Sequence, residues 1–342
     1  MPRLSMAAAG LDAQALLAPL ERFTKVGLAV SGGADSLALL LLAQRHEAAL
    51  GHPGRYTVYT VDHRLRPEAA DEVAMVLAVA AARRLPARGL VWTGPKPATG
   101  VSAAARAARY ELIHAAMRED GCEALATAHH LGDQAETVMM RMAHGSGLEG
   151  LRGMDRDTVI DGLRIVRPLL HVDPEALRAL VRDEGLVPAA DPSNADTDYE
   201  RVRWRQMLPQ LAALGLDAQR ITTFARRAGE AEAALTAEAE RARALVTPID
   251  PLGVSVLRRD LSLLPKAVAT RLVSKLLRDV GGAQRPHGLS AVERLVERLG
   301  QGTFRTTLNG CVVSAGPVTI RIRPEPARRS PPRRSTKEPL RS

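Results

Sequence analysis

A six-residue segment rich in glycine and serine most constrains what this chain can fold into. It consists of Ser31, Gly32, Gly33, Ala34, Asp35 and Ser36, and we call it the glycine loop. An apolar run over residues 26–30, typical of a buried strand, precedes it, and a helical pattern over residues 37–50 follows it. Adjacent glycines allow backbone conformations that a side chain would block, and the first N–H groups of a helix are free to face an anion. This order of elements predicts a phosphate-binding loop.

The glycine loop differs from a Walker loop because no lysine follows its glycines. Asp35 stands inside the loop instead, and a carboxylate next to phosphates is best explained by a divalent cation between them. We therefore predict Mg-ATP as the ligand, with Asp35 as the magnesium ligand and residues 31–36 as phosphate contacts. The alternative is an ordinary strand-to-helix turn in which the glycines only provide tightness.

Composition favours a cytoplasmic protein with a polyanionic partner. We expect neither a membrane helix nor a secretory signal, because the chain has no sufficiently long apolar stretch and its first ten residues lack the signal pattern. The net charge of +9 favours nucleic acid as a partner, although solubility would explain the same charge. The two cysteines, Cys122 and Cys311, are too far apart in sequence for a Cys-x-x-Cys pair.

Apolar runs alternate with helical patterns through the first half of the chain. The strand-like runs cover residues 26–30, 56–61, 87–92 and 124–128, and the helical patterns cover residues 37–50, 68–84 and 102–120. This alternation predicts an α/β fold with a doubly wound parallel sheet and helices on both faces. Side chains that follow parallel strands meet at one edge of the sheet. Those expected there are Ser31, Asp62, Thr93 and His129.

The length of 342 residues suits two domains, each with its own core. The predicted segments are an N-terminal extension over residues 1–19, a catalytic α/β domain over 20–212, a smaller mainly helical domain over 213–322 and a basic, disordered tail over 323–342. Within the first domain, residues 158–166 indicate a short hairpin that turns at Asp161 and Gly162. A last β-like stretch covers residues 303–322.

Two motifs place further polar side chains near the glycine loop. Asp62 and His63 end the second strand and are expected near the adenosine half of a nucleotide, although Asp62 equally suits the cap of a turn. Arg106 and Arg109 lie three residues apart on a helix for which Ser102 is a plausible N-cap. These arginines suit a phosphate or a base, and a solvated helix face is the alternative.

Acidic and imidazole groups follow the fourth strand. His129, Asp133 and Glu136 lie at the end of this strand and in the first turns of a helix. Two carboxylates near ATP bind magnesium, orient an ammonium group or accept its proton. A zinc site is disfavoured because no second cluster with metal-ligand spacing is present.

A block of hydrogen-bonding residues and arginines follows further along the chain. It begins at Asp191, Pro192, Ser193 and Asn194 and continues with Arg201, Arg203 and Arg205. Such a loop and arginine cluster suits an RNA backbone. A capped helix with exposed arginines is the alternative.

These motifs, in this order, resemble the tRNA(Ile)-lysidine synthetase family of the N-type ATP pyrophosphatases, or PP-loop proteins. The resemblance covers residues 20–215 and, more weakly, the region up to residue 322. The glycine loop is the superfamily signature, and the sequences D-H-x-L-R, A-R-x-x-R-Y and D-P-S-N followed by R-x-R favour this branch. His144 and Val202 depart from the family pattern of arginine and asparagine, so no role is transferred to them.

The resemblance implies ATP-dependent ligation of free L-lysine to C2 of the wobble cytidine in the CAU anticodon of tRNA(Ile). ATP would adenylate the cytidine, with release of pyrophosphate, and lysine would displace AMP, so that codon reading changes from AUG to AUA. The implied catalytic residues are Asp35, Arg109, His129, Asp133 and Glu136, and the implied tRNA contacts are Arg106, Arg201, Arg203 and Arg205. The helical domain would also bind tRNA.

Two alternatives belong to other classes. A tRNA thiolase would activate the same kind of base oxygen, but this chemistry needs paired cysteines or a cluster, which Cys122 and Cys311 do not provide by spacing. A nucleotide- or RNA-binding protein without catalysis would show no tRNA-dependent release of pyrophosphate. The oligomeric state is left open, with a homodimer as one option.

Overall fold

The computed structural model describes residues 11–189, 196, 198–249, 253–282 and 288–326. The Asp191 to Asn194 motif lies outside the described residues, as do the first ten residues and the tail from residue 327 onward. The chain divides into two compact units, Met1–Ala228 and Gly229–Ser342. The predicted boundary between the α/β domain and the mainly helical domain follows residue 212.

The first unit alternates strands and helices. Its strands are β1 (Val26–Ala29), β2 (Tyr56–Asp62), β3 (Ala87–Val91), β4 (Ala124–Ala126), β5 (Asp157–Ile160) and β6 (Leu163–Val166). Its helices are α1 (Ala13–Leu17), α2 (Ala34–Leu50), α3 (Ala69–Ala82), α4 (Val101–Asp120), α5 (Leu131–Ala143), α6 (Leu148–Leu151), α7 (Pro174–Asp183) and α8 (Glu200–Ala213). The unit boundary falls within a longer helix, α9 (Ala218–Arg241).

The strands of the first unit form a sheet in the order β3-β2-β1-β4-β6-β5. All neighbouring strands are parallel except β5 and β6, which form an antiparallel hairpin. The hairpin turns at Asp161 and Gly162, whose φ angles of 49° and 81° suit a type I′ turn. The predicted parallel sheet and the predicted hairpin are therefore both confirmed.

Helices cover both faces of this sheet. Tyr56 and Val58 of β2 belong to the core under α2, α3 and α7, whereas Tyr59 belongs to a second core under α4. This separation follows from the alternation of side chains along a strand. Every residue from Leu37 to Ala43 in α2 is buried, so this helix is enclosed on all sides. The predicted doubly wound arrangement is confirmed.

The order of the strands reverses next to β1. The chain proceeds outward from β1 to β2 and β3, and then returns through α4 to place β4 on the other side of β1. The connections that leave β1 and β4 therefore diverge, which opens a crevice at their carboxyl ends. The glycine loop and the residues after β4 border this crevice.

The second unit contains more β-structure than the sequence indicates. After α9, its elements are β7 (Val246–Ile249), β8 (Gly253–Leu257), α10 (Arg258–Leu263), α11 (Lys266–Gly281), α12 (Leu289–Gln301), β9 (Phe304–Leu308), β10 (Cys311–Ala315) and β11 (Thr319–Pro324). The strands pair antiparallel in the order β7-β8-β11-β10-β9. Strands β9 to β11 coincide with the predicted β-like stretch.

The strands β7 and β8 are absent from the sequence prediction. They contain only four and five residues, with Pro248 inside one and Gly253 at the start of the other. Proline and glycine weaken the local strand signal, so the sheet forms here because β11 supplies a partner for β8. Among the helices that the structure describes, none is long and apolar enough to cross a membrane.

Candidate active site

The glycine loop connects β1 to α2 at the edge of the crevice. Gly32 has a φ angle of 89°, a conformation that favours glycine. A Cβ atom at this position would lie 3.1 Å from Cε of Met75. Gly33 is the N-cap of α2 and contributes no capping side chain, so no side chain of the N-cap satisfies the first N–H groups of the helix. A helix start of this kind suits an anion, and phosphate binding by residues 31–36 stays a prediction.

Ser36 braces the loop from within. Its hydroxyl Oγ accepts a hydrogen bond from the backbone N of Ser31 at 3.1 Å and donates one to the carbonyl oxygen of Gly33 at 2.9 Å. The carbonyl oxygen of Gly32 accepts a hydrogen bond from the backbone N of Ala189 at 3.0 Å. Ser36 is buried, whereas Ser31 is exposed. Ser31 is therefore the more accessible of the two predicted hydroxyl contacts.

Asp35 lies opposite the residues that follow β4. Its Oδ2 atom is 3.4 Å from Nε2 of His130. Its Oδ1 atom is buried and has no hydrogen-bond partner among the described residues. Leaving a carboxylate oxygen buried and unpaired is costly unless a ligand completes it. Asp35 thus has one oxygen next to His130 and one buried oxygen without a hydrogen-bond partner among the described residues.

His130 caps helix α5. Its Nδ1 atom accepts hydrogen bonds from the backbone N atoms of Gly132 and Asp133, at 3.0 and 3.3 Å. In return, Oδ2 of Asp133 accepts the backbone N–H of His130 at 3.0 Å. Burial acts to lower the pKa of His130, but the hydrogen bond to Asp35 and the charges of Asp133 and Asp35 outweigh it and raise this pKa. His130 therefore connects the glycine loop to α5.

His129 is neutral at physiological pH. Burial lowers the pKa of its imidazole to about 4, and the charges of Arg167, Arg201 and Arg106 act in the same direction against that of Asp133. Its Nδ1 atom is 2.8 Å from the hydroxyl oxygen of Thr127. A neutral ring can form hydrogen bonds here without adding charge to the crevice.

Glu136 is the most buried carboxylate of the group, at 1% exposure. The Nε of Arg205 donates to its Oε1 atom at 2.7 Å, and Nε of Arg201 lies 3.0 Å from its Oε2 atom. Arg205 also places Nη2 3.7 Å from Oδ1 of Asp133. These arginines are four residues apart and share one face of α8. The structure therefore brings together two sets of residues that the sequence analysis assigned to different tasks.

Neighbouring charges determine the ionisation of Asp133. Burial acts to raise the pKa of its carboxyl group, but His130, His129 and Arg201 lower it on balance. Asp133 is thus an anion that accepts hydrogen bonds at the start of α5.

Arg203 lies between the paired arginines Arg201 and Arg205 in the sequence. It is exposed and donates to the carbonyl oxygen of Asp198 at 3.0 Å. The structure does not bring Arg203 to Glu136.

The end of β2 supplies Asp62 and His63. Oδ1 of Asp62 accepts the backbone N–H of Arg64 at 2.7 Å, which is the turn-capping arrangement. The ring of His63 lies edge-on to Trp92, with 6.2 Å between centroids. Burial and the nearby charge of Arg109 lower the pKa of His63, and its buried Nδ1 atom has no partner among the described residues.

Arg106 and Arg109 both contact the ring of Tyr110. Their guanidinium carbons lie 5.1 and 5.3 Å from the ring centroid, within the range of cation–π contacts. Arg106 is exposed, whereas Arg109 is partly buried, and burial lowers the pKa of Arg109. The N-cap residue of helix α4 is Gly100, which has a φ angle of 68°. The predicted N-cap at Ser102 is therefore wrong.

The predicted site residues did not include His130, Tyr110 or Arg167. Arg167 directly follows β6 and is 5% exposed. The backbone N of Thr127 donates to Val166 at 3.0 Å, so Arg167 lies at the same sheet edge as the residues after β4. The rule that side chains after parallel strands meet at one edge would have identified Arg167. The signal for His130 was its position just before a helix.

Known proteins of one family match most of this chain. A family model described as a PP-loop domain matches residues 9–211. The tRNA(Ile)-lysidine synthase of Methylobacterium nodulans is 42% identical, over 96% of this chain and 100% of its own length. The enzyme of the same name from Rhodopseudomonas palustris is 40% identical, over 94% of this chain and 97% of its own length.

A solved structure shares the fold at much lower identity. It is the U34-tRNA thiolase NcsA from Methanococcus maripaludis with its [4Fe-4S] cluster, with a TM-score of 0.53 and 16% identity. The match covers 63% of this chain and 77% of that chain. It supports the α/β fold of the first unit and, at this identity, nothing about the reaction.

Proposed function

Because the chain belongs to the tRNA(Ile)-lysidine synthase family of PP-loop proteins, we propose that it ligates lysine to a tRNA at the expense of ATP. The substrate is the wobble cytidine in the CAU anticodon of tRNA(Ile). The product, lysidine, pairs with A instead of G, so the codon read changes from AUG to AUA. The basic composition, with a net charge of +9, agrees with a polyanionic substrate.

The reaction has two group-transfer steps. First, O2 of the cytidine attacks the α-phosphorus of ATP, and the bond to the β-phosphate breaks with release of pyrophosphate. Second, the side-chain amine of lysine attacks C2, and the C2–O bond breaks with release of AMP and a proton. Each step needs a bound anion, a stabilised leaving group and an oriented nucleophile.

The glycine loop is the proposed site for the phosphates of ATP. The N–H groups at the start of α2 favour negative charge, and the conformation of Gly32 keeps the backbone accessible. Asp62 and His63, at the neighbouring strand end, are proposed for the adenosine half. Ser31 contributes a hydroxyl at the loop entrance.

A magnesium ion fits next to Asp35. The buried Oδ1 atom of this carboxylate has no hydrogen-bond partner within the part of the chain that the structure describes, and a carboxylate oxygen is a ligand that magnesium prefers. Among the described residues, no group of three or more His, Cys, Asp or Glu side chains is arranged to hold a metal, so the phosphates and water must complete the coordination. When bound, the ion would neutralise charge on the pyrophosphate leaving group.

The base and the α-phosphate are proposed to lie between Arg109 and His129. Arg109 supplies a positive charge, and neutral His129 supplies a hydrogen bond without adding charge. We propose Asp133 and Glu136 as the contacts of the lysine amine. Glu136 already pairs with Arg201 and Arg205, so it also holds these arginines in place for the RNA. Arg106 and Arg203 are exposed and are proposed as further tRNA contacts.

The observation that carries this proposal is the unpartnered Oδ1 atom of Asp35 beside a backbone anion site. The test is incubation of the full chain with unmodified CAU-anticodon tRNA, ATP, magnesium and labelled lysine, followed by mass spectrometry of the nucleosides. We expect lysidine in equal amount to the pyrophosphate released. Pyrophosphate without incorporated lysine would contradict the second step.

The same incubation separates the thiolase alternative. Cys311 is buried, and burial raises the pKa of its thiol to about 11, so it is a poor nucleophile. Cys122 is the only other cysteine of the chain, and two cysteines cannot supply the three or four thiolates of a usual iron–sulfur site. We expect no thiolated nucleoside when a sulfur donor replaces lysine.

We also propose that the enzyme acts in the cytoplasm, where its tRNA is decoded.

A further inference from the structure

Three guanidinium groups gather at one side of the crevice. Arg106 and Arg109 lie over the ring of Tyr110, and Arg167 follows β6 at the same sheet edge. We call Arg106, Arg109 and Arg167 the arginine cluster. Their charges act on one another, because the charge of Arg106 lowers the pKa of both Arg109 and Arg167. Like charges at this proximity oppose folding unless an anion compensates them.

The arginine cluster has no acidic partner among the residues that the structure describes. None of its three guanidinium groups forms an ion pair with a carboxylate there. The nearest acid to influence Arg167, Asp155, instead forms its ion pair with Arg152 at 2.8 Å. In contrast, Arg201 and Arg205 at the other side of the crevice share Glu136.

Arg167 is the most informative member because it is buried. It is 5% exposed, and its Nη1 atom donates to the carbonyl oxygen of Asp155 at 2.7 Å. Its Nε atom is buried and has no hydrogen-bond partner among the described residues. A role limited to bracing the chain at Asp155 would explain Nη1 but not the unpartnered Nε.

We propose that Arg167, together with Arg106 and Arg109, binds a phosphate group of the substrates beside Tyr110. Guanidinium groups suit a tetrahedral dianion or diester because each presents several N–H donors in a plane. The phosphate has two sources in the reaction, ATP and the backbone of the tRNA. The inference rests on the proposed function for the identity of these substrates, but not for the existence of the anion site.

The test compares matched substitutions of buried and exposed arginines. Arg167→Gln and Arg167→Lys remove the guanidinium of the buried member, and Arg106→Gln removes that of the exposed member. Arg55→Gln is the control for burial, because Nη2 of Arg55 donates to the carbonyl oxygen of Leu20 at 2.8 Å and its buried Nε atom likewise has no hydrogen-bond partner among the described residues. Arg55 lies just before β2, at the opposite edge of the sheet from the cluster. Arg118→Gln is the control for net charge, because Arg118 is an exposed arginine of the same helix as Arg106.

Binding is measured without lysine, so that no turnover is needed. One arm measures the Kd of tRNA at several salt concentrations without ATP, and the other measures the Kd of Mg-ATP without tRNA. Thermal unfolding is recorded for every variant. We expect both Arg167 variants to weaken one of the two ligands by about tenfold or more, because a bidentate charge-assisted contact is lost.

The arms identify the source of the phosphate. Weaker tRNA binding, with a salt slope reduced by about 0.7 to 0.9 in Arg106→Gln, indicates a backbone phosphate. Weaker Mg-ATP binding with unchanged tRNA affinity indicates a nucleotide phosphate. Either result supports the site when Arg118→Gln and Arg55→Gln retain wild-type affinities.

Unchanged affinity for both ligands in folded Arg167→Lys and Arg106→Gln would overturn the proposal. Equal losses in the cluster variants and the two controls would also overturn it. Should Arg167→Gln fail to fold, Arg106→Gln decides, because an exposed arginine is not needed for packing. Lysidine formation by the wild type is measured separately, so an inactive wild type that binds phosphate through the cluster would refute the proposed function alone.

Discussion

The two sides of the crevice treat charge in opposite ways. On helix α5 and the facing helix α8, the buried carboxylate Glu136 has two arginine partners, and Asp133 is held by hydrogen bonds at the helix start. On α4 and after β6, the arginine cluster has no carboxylate partner within the described ranges. Oδ1 of Asp35, in the glycine loop, is also without a hydrogen-bond partner among the described residues.

This difference separates charges that complete the fold from charges that await ligands. A buried ion pair that loses one partner destabilises the folded state, because the other charge remains unpaired. A buried group without a partner already bears this cost, which a ligand relieves on binding. Substitution of Glu136 on the paired side should therefore lower stability as well as lysine binding, whereas substitutions on the unpaired side should mainly change binding and catalysis.

The largest effect is expected at Asp35. Asp35→Asn removes the charge of the unpartnered oxygen and should lower tRNA-dependent release of pyrophosphate about 1,000-fold, with little change in unfolding temperature. Release of pyrophosphate measured at saturating tRNA provides the test. Asp71→Asn is the control, because Asp71 is an exposed acid in the first turn of α3 and should retain activity. A fully active Asp35→Asn enzyme would show that the unpartnered oxygen of Asp35 does not need its charge for catalysis.

The next effect is the pH dependence that His129 confers on stability. Its pKa is about 4 in the folded chain against 6.5 for the unperturbed group, so the unfolded state binds more protons between these values. Its contribution, up to about 3 kcal/mol, is present above pH 6.5 and is lost as the pH falls from 6.5 toward 4.

Urea unfolding at pH 7 and pH 4.5 measures this contribution. His129→Gln should reduce the difference in unfolding free energy between the two pH values, whereas the exposed His52→Gln should preserve it. An unaltered pH difference in His129→Gln would show that burial and the neighbouring arginine charges do not keep this ring neutral.

A smaller loss of stability is expected at Glu136. Glu136→Gln leaves Arg201 and Arg205 facing a neutral group and should lower the unfolding free energy by about 2 kcal/mol, reduced by the partial exposure of the arginines. Urea denaturation gives this value. The control is Glu175→Gln, since exposed Glu175 also joins two arginines, Arg178 and Arg182, and should change stability little. Equal losses of unfolding free energy in both variants would show that the buried ion pairs contribute no more to stability than the exposed ones.

The smallest effect tests whether the backbone of the glycine loop needs a residue without a Cβ atom at position 32. Gly32→Ala places a Cβ atom on a residue with a φ angle of 89° and should cost about 1 kcal/mol in unfolding free energy. Gly33→Ala is the matched control, because its nearest contact would be Oγ of Ser31 at 3.7 Å and its φ angle is −69°. If the two variants unfold at the same urea concentration, the left-handed conformation at Gly32 is not a source of strain.

Much of the first unit was predictable because its signals are local. The apolar runs of β1 and β2 and the turn at Asp161 and Gly162 each depend on a few consecutive residues. The expected meeting of the glycine loop with the residues after β4 follows from the parallel sheet alone, and the contact between Asp35 and His130 agrees with it. The strands β7 and β8 were missed because β8 joins the sheet through β11, which lies more than 60 residues away, and β7 pairs only with β8.

The sequence by itself determined the phosphate-binding loop, the α/β class and the family, since these depend on short motifs with fixed order and spacing. Only the tertiary structure decided which charges are paired. From the sequence alone, Arg201 and Arg205 suit an RNA contact. In the structure they pair with Glu136, which is 65 and 69 residues away in sequence, because α8 packs against α5. Whether a charged side chain is compensated is a property of its neighbours in space, and no local pattern encodes it.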